Sequence, residues 1–162
     1  MINIIEIMDA LEIQSDTLFV YVNKASGEVE VLLDDEHFDS IQKLEDRICL
    51  SDDEDEREQL SVIKKILFSN EYLPLPGSSE VDEYQIMKDF SESFEDARMR
   101  DNLLNELVGK AAFRRFINFI NLADLEEDWC VYRYERIKGM VIEWCQENSL
   151  KYSEEEKAKA LV

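Results

Sequence analysis

The sequence predicts a mainly helical α+β fold, and three observations carry that expectation. Two alternating β-branched runs, TLFVYV and EVEVLL, are separated by the turn-forming NKASG, which reads as a hairpin. Apolar residues at helical spacing recur through most of the remaining chain. A two-stranded hairpin is marginal alone in water, so one of its faces, Leu18, Val20 and Val22 or the alternate set, must pack on helices. The expected architecture is therefore an N-terminal hairpin flanked by helices and packed on a C-terminal cluster of four helices.

Taken in order, Asn3 can cap a first helix with Glu6 three residues on, and Ile4, Ile7, Met8 and Leu11 then share a face. The hairpin follows. The stretch Asp34–Glu58 holds twelve acidic and three basic residues, with Phe38, Ile41, Leu44 and Ile48 marking a short helix between acidic loops. Asp52–Glu56 suit the N-terminus of the next helix, whose stripe is Leu60, Ile63, Ile66 and Leu67. LPLPGSS at Leu73–Ser79 breaks the chain.

Beyond it, Ser79 with Asp82 can open a helix carrying Tyr84, Ile86, Met87, Phe90 and Phe94. Asp96 can cap another, with Met99, Leu103, Leu104, Leu107 and Val108 turned inward and Gly109 as a left-handed stop. GKAAFRRFINFIN is a further helix, LADLEED a connector, and Val131–Glu147 the last helix, with Tyr134, Ile137, Val141 and Trp144 on one face. The division expected is one domain over 1–152, with a hairpin-containing half at 1–72, a helical half at 79–152, and 153–162 as a frayed tail.

At 162 residues the chain has the size of one domain. A hydrophobic share of 45% excludes a disordered acidic tail despite the net charge of −20. That charge opposes direct binding to nucleic acid and anionic membranes, and it makes a protein the expected partner. MINIIEIMDA lacks the basic start of a signal peptide, and the longest apolar run, Leu18–Val22, is too short to span a bilayer, so a cytoplasmic chain is expected. Cys49, Cys130 and Cys145 are too widely spaced for a metal knuckle or redox motif and read as reduced, partly buried thiols.

Against this acidic background one segment stands out. From Leu107 to Ala123 there is no acidic residue, and Lys110, Arg114 and Arg115 stand in the gap. On a helix, Ala112, Phe113, Phe116, Ile117, Phe119 and Ile120 fill one side, while Lys110, Arg114, Arg115, Asn118 and Asn121 fill the other. A second basic cluster, Arg133, Arg136 and Lys138, follows in YRYERIKG. Two readings are open. These cations clamp the fold through pairs with Glu126–Asp128 or the acidic segment, or Lys110, Arg114, Arg115, Asn118, Arg133 and Arg136 form an anion- or partner-binding surface with Tyr132 or Tyr134.

The order of features, with QSD before YVNKASGEVEVL, then LP, GKAAFRRFINF, Trp129 and IEWCQEN, resembles uncharacterised protein family 0158. Its central motif resembles G-K-G-A-F-R-R-F-K-D, matched here by Gly109, Lys110, Ala112, Phe113, Arg114, Arg115 and Phe116. Ala111 stands where that pattern has glycine, and Ile117 and Asn118 replace its last polar pair. The resemblance implies a bacterial cytoplasmic protein and no particular reaction.

No glycine-rich phosphate loop, nucleophile elbow or HExxH ligand set is present, so no catalytic residue and no cofactor is assigned. His37 sits among carboxylates in DDEHFD, but consecutive side chains diverge and a hard-cation loop needs spaced oxygens with a turn glycine, so no metal is assigned either. Trp129 and Trp144 read as core anchors, with Cys130 and Cys145 as small buried neighbours. The function these readings favour is a non-enzymatic binding or regulatory module. The rivals are an acidic nucleic-acid mimic that meets a basic protein, and an enzyme with an unfamiliar site around Arg114 and Arg115.

Overall fold

The structure is a computed structural model that describes residues 1–77 and 81–155. It is mainly helical α+β, as the sequence predicts, with the strands concentrated in the N-terminal half. Two compact units divide it, Met1–Ser78 with Val141–Val162 and the continuous segment Ser79–Met140.

The first unit opens with β1 (Ile2–Asn3) and α1 (Ile4–Ile13). Asn3 Oδ1 accepts from the backbone N–H of Ile5 at 2.9 Å and of Glu6 at 3.4 Å, the cap its sequence position predicts. Ile4, Ile7, Met8 and Ala10 are buried on the inner face of α1. The hairpin is β2 (Leu18–Asn23) with β3 (Val29–Leu33), in a register that sets Leu18 against Leu33 and Val22 against Val29. Gly27 closes its turn at a φ of 81°, and a Cβ there would stand 2.7 Å from the Met1 carbonyl oxygen.

Both faces of the hairpin are used. Tyr21 and Leu32 join Leu44 of α2 (Ile41–Leu50) and Leu60, Ile63 and Ile66 of α3 (Glu54–Phe68) in one apolar core, with Phe19, Phe38, Ile48, Leu67 and Tyr72 packed around it. Val20 and Val22 point the other way, where α1 lies against β2 and β3, and both are fully buried. Ser40 and Asp53 cap α2 and α3, so each of these helices begins where the acidic loops end.

Leu73 and Pro74, read as part of a chain break, lie in β4 (Tyr72–Pro74), which pairs antiparallel with β2 and completes a sheet of order β3-β2-β4. A proline is compatible with this place because β4 is an edge strand and needs no second ladder. A further pairing joins β1 in parallel to β5 (Tyr152–Ser153). Ile2 donates its N–H to the Lys151 carbonyl at 2.8 Å, and Asn3 Nδ2 donates to the Glu155 carbonyl at 2.9 Å. The tail expected from Ser153 thus begins inside a strand, and residues 156–162 lie outside the described residues, as does the cap expected of Ser79.

The second unit holds α4 (Glu83–Glu92), α5 (Ala97–Glu106), α6 (Ala112–Leu122) and the first part of α7 (Glu126–Glu147). Asp82 caps α4 and Asp96 caps α5. Phe90 is the centre of the packing, with ring centroids 5.2 Å from Phe94, 5.3 Å from Trp129 and from Tyr132, and 6.2 Å from Phe116. Edge-to-face pairs of this kind add about 0.5–1.5 kcal/mol each beyond the area they bury. Ser91, the one polar side chain fully enclosed among the described residues of this unit, donates to the Met87 carbonyl at 2.8 Å.

Several apolar residues expected inside are exposed. Tyr84 stands in the first turn of α4, ahead of the residues it buries. Val108 stands beyond the end of α5, in the turn. Tyr134 and Cys130 are exposed because α7 does not bury one continuous arc: its first half buries Trp129, while its second half buries Ile137, Val141 and Cys145 on a different side. Cys49 is exposed as well, so only Cys145 of the three thiols is buried, and burial raises its pKa. α7 begins at Glu126, five residues before the start predicted for it, and its first turn absorbs Glu126, Glu127 and Asp128 at the positive end of the helix dipole.

Candidate functional site

The basic motif folds as the α5–α6 turn and the first turns of α6. Gly109 takes a φ of 84°, the left-handed stop its type predicts, and Ala111 takes a φ of 57° as the N-cap of α6. Ala111 offers no side-chain acceptor to the first N–H groups of α6. The left-handed conformation also disfavours any residue with a Cβ, which gives physical content to the glycine that the resembling motif carries there.

A helix ends with carbonyls that lack partners inside it, and here they are met by an arginine from the next helix. Arg115 Nη2 donates to the Glu106 carbonyl at 3.0 Å and also to that of Val108, while Nη1 donates to the carbonyl of Lys110. Its Nε stands 3.7 Å from the Glu106 carboxylate. One planar fork thereby gathers the whole turn through two nitrogens held apart in a plane, a spread that a single ammonium nitrogen does not have.

Arg133 and Arg136, on α7, are likewise engaged within the chain. Arg133 Nε lies 3.0 and 3.2 Å from the two Glu83 oxygens and its Nη2 2.5 Å from Oε1, and Arg136 Nη2 lies 2.7 Å from Asp89 Oδ2. Both acids belong to α4, so the pairs tie α7 to α4. The partners proposed from sequence are Glu126–Asp128 or the acidic segment, whereas the pairs among the described residues are to Glu83 and Asp89. Tyr132 packs on Phe90, inside the same layer.

The three remaining candidates are arranged otherwise. Lys110, in the turn before the N-cap Ala111, is exposed, as are Arg114 and Asn118, four apart on α6. Among the described residues, the Arg114 side chain makes no hydrogen bond or ion pair, although the chain carries 38 acidic residues. Beside this row, Phe113 is 56% and Val108 71% exposed. Phe113 lies on the same helical arc as the buried Phe116 and Ile120, so helical phase does not account for its exposure. The structure therefore separates the six candidates into a clamping set, Arg115, Arg133 and Arg136, and an open row, Lys110, Arg114 and Asn118.

His37, singled out within DDEHFD, stacks on Phe19 with ring centroids 4.2 Å apart, and its Nε2 lies 3.1 Å from the Tyr21 hydroxyl. Glu36 beside it accepts the Leu33 N–H at 2.9 Å. Among the described residues no group of three or more His, Cys, Asp or Glu side chains is disposed to hold a metal ion. Sequence reasoning did not foresee the carbonyl-capping role of Arg115 or the choice of Glu83 and Asp89 as partners. The only signal for the first was the acid-free stretch itself, and Arg133 and Arg136 lie outside that stretch.

The molecule is thus a mainly helical α+β protein, acidic overall, with one open basic row beside exposed apolar residues. The model of the Uncharacterised protein family (UPF0158) matches residues 31–161, and the chain belongs to that family. The matched range runs from the middle of β3 through the whole GKAAFRRFINF motif. Neither a curated protein nor a solved structure matches the chain. No helix among the described residues is long and apolar enough to cross a membrane.

Proposed function

We propose that this protein is a non-enzymatic binding or regulatory module of the bacterial cytoplasm, and that it meets a protein partner through Lys110, Arg114 and Asn118 with Phe113 and Val108 beside them. The observation that carries the reading is Arg114. In a chain with more than twice as many acids as bases, this guanidinium has no partner among the described residues, while its neighbour Arg115 has four contacts. A free arginine next to an exposed phenylalanine matches the composition of contact-surface anchors. The chemistry that fits is a carboxylate flanked by an apolar side chain. Arg115 serves this surface by holding the turn that carries it, while Arg133 and Arg136 tie α7 to α4. The charge of the remaining surface opposes a phosphate backbone at the same place.

The test is copurification from the native cell with wild type and with a Lys110→Glu/Arg114→Glu variant, paired with thermal unfolding. The expected result is loss of a partner at nearly unchanged melting temperature. Retention of every partner together with a lowered melting temperature would return Arg114 to a structural role.

A further inference from the structure

The sheet order β3-β2-β4 leaves β3 with one side unpaired. Asn23 donates to the Glu28 carbonyl at 2.8 Å, which marks that pair as hydrogen-bonded and, by the antiparallel alternation, Tyr21 with Glu30 and Phe19 with Leu32 as well. Val29, Val31 and Leu33 therefore turn their backbone groups away from β2. Glu36 takes the Leu33 N–H, and the outward groups of Val29 and Val31 have no partner among the described residues.

The side chains along this edge form a graded strip. Val29, Val31 and Leu33 share one face of the strand, and Val31 and Leu33 are 40% and 50% exposed. At the Val29 end lies an open recess of about 460 Å³, lined by Glu6, Asp9, Glu28, Val29 and Glu30. Four of these five described residues are carboxylates. Beyond Leu33 the chain continues with Asp34, Asp35 and Glu36.

We propose that this edge accepts an extended basic segment of a partner protein as an added strand. Backbone groups of the segment would pair with Val29 and Val31, a lysine or arginine would enter the carboxylate recess, and two apolar side chains on the same face would cover Val31 and Leu33. Charge selects the occupant. An unprotected apolar edge ordinarily invites a second copy, but here the copy would bring its own Glu28, Glu30, Asp34 and Asp35 against the same charges. A basic strand meets no such repulsion. This surface lies in the first unit and stands independently of the row on α6.

A fluorescent peptide of about eight residues, alternating so that one face presents Arg-Val-Val, serves as the probe, with a Glu-Val-Val counterpart as control. Anisotropy titration of the full chain should show binding of the arginine peptide that weakens as salt rises, and no binding of its counterpart. Val31→Pro removes an outward N–H that β2 does not use, so it should weaken binding at least about tenfold while the internal ladder stays intact. Asp9→Asn/Glu30→Gln, which touches no backbone group, should weaken it similarly and provides the reading if the proline variant does not fold. Equal affinity for both peptides, no binding of either, or wild-type affinity in the variants would overturn the proposal. So would a concentration-dependent dimer in sedimentation that the proline variant abolishes, since the edge would then belong to a second copy.

Discussion

Arg115 Nη2 lies 3.0 Å from the Glu106 carbonyl oxygen, nine residues back in the chain and at the end of the preceding helix. Because the same guanidinium holds the Val108 and Lys110 carbonyls, Arg115→Ala leaves the end of α5 without its cap. The side chain is about one-third exposed, so the loss is expected near 1–2 kcal/mol rather than at the upper end for charged hydrogen bonds. Arg114→Ala should change stability by no more than about 0.5 kcal/mol. Urea denaturation of both variants measures the contrast, and Arg115→Lys should not restore full stability because one ammonium nitrogen does not span the carbonyls that two guanidinium nitrogens reach.

Ala111 carries a φ of 57° in a conformation that glycine adopts without penalty. Ala111→Gly is expected to stabilise the protein by about 0.5–1 kcal/mol, the relief of left-handed strain exceeding the added freedom of the unfolded chain. A rise in melting temperature checks it.

Glu56 accepts from the Ser51 hydroxyl at 2.5 Å and from Arg47 Nη2 at 2.7 Å, and these contacts, Ser51 first, hold its carboxyl below the ordinary range. A carboxyl whose folded pKa is depressed contributes stability above its unfolded pKa and loses it as pH falls through the folded value. Glu56→Gln should therefore be less stable than wild type near neutrality, and the two melting temperatures should converge on acidification.

Burial raises the pKa of the Tyr21 phenol above its ordinary value of 10.0. A group with a raised folded pKa contributes stability that is complete below the unfolded value and is lost as pH climbs through the folded one. Tyr21→Phe should cost about 1 kcal/mol at neutral pH through the lost contact with His37, and that deficit should shrink or reverse above about pH 10. Denaturation midpoints across the alkaline range decide this.

Local chemistry was the most legible part of the sequence. Asn3, Asp82 and Asp96 cap the helices expected of them, and the hairpin register follows from two alternating runs around a turn. What escaped depends on distant partners. Nothing local in YLP announces a third strand, because Pro74 is tolerated only by virtue of its place at an edge. The pairing of β1 with β5 joins segments too short for periodicity to register. At the candidate site, helical periodicity placed Lys110, Arg114 and Arg115 on the polar side together. It could not tell the arginine that folds back on three carbonyls from the one beside it that stays open, because that difference turns on where α5 ends.

The pairing of Ile2–Asn3 with Tyr152–Ser153 also sets an order of events during synthesis. One strand of this pair is made about 150 residues before the other, while the segment Ser79–Met140, continuous in the chain, has its own contacts available before the later strand exists. On the ribosome, the hairpin-bearing unit is thus held incomplete, with the Ile2 N–H and the Asn3 side-chain amide awaiting their acceptors, until the second half of α7 has emerged and brought the closing strand behind it.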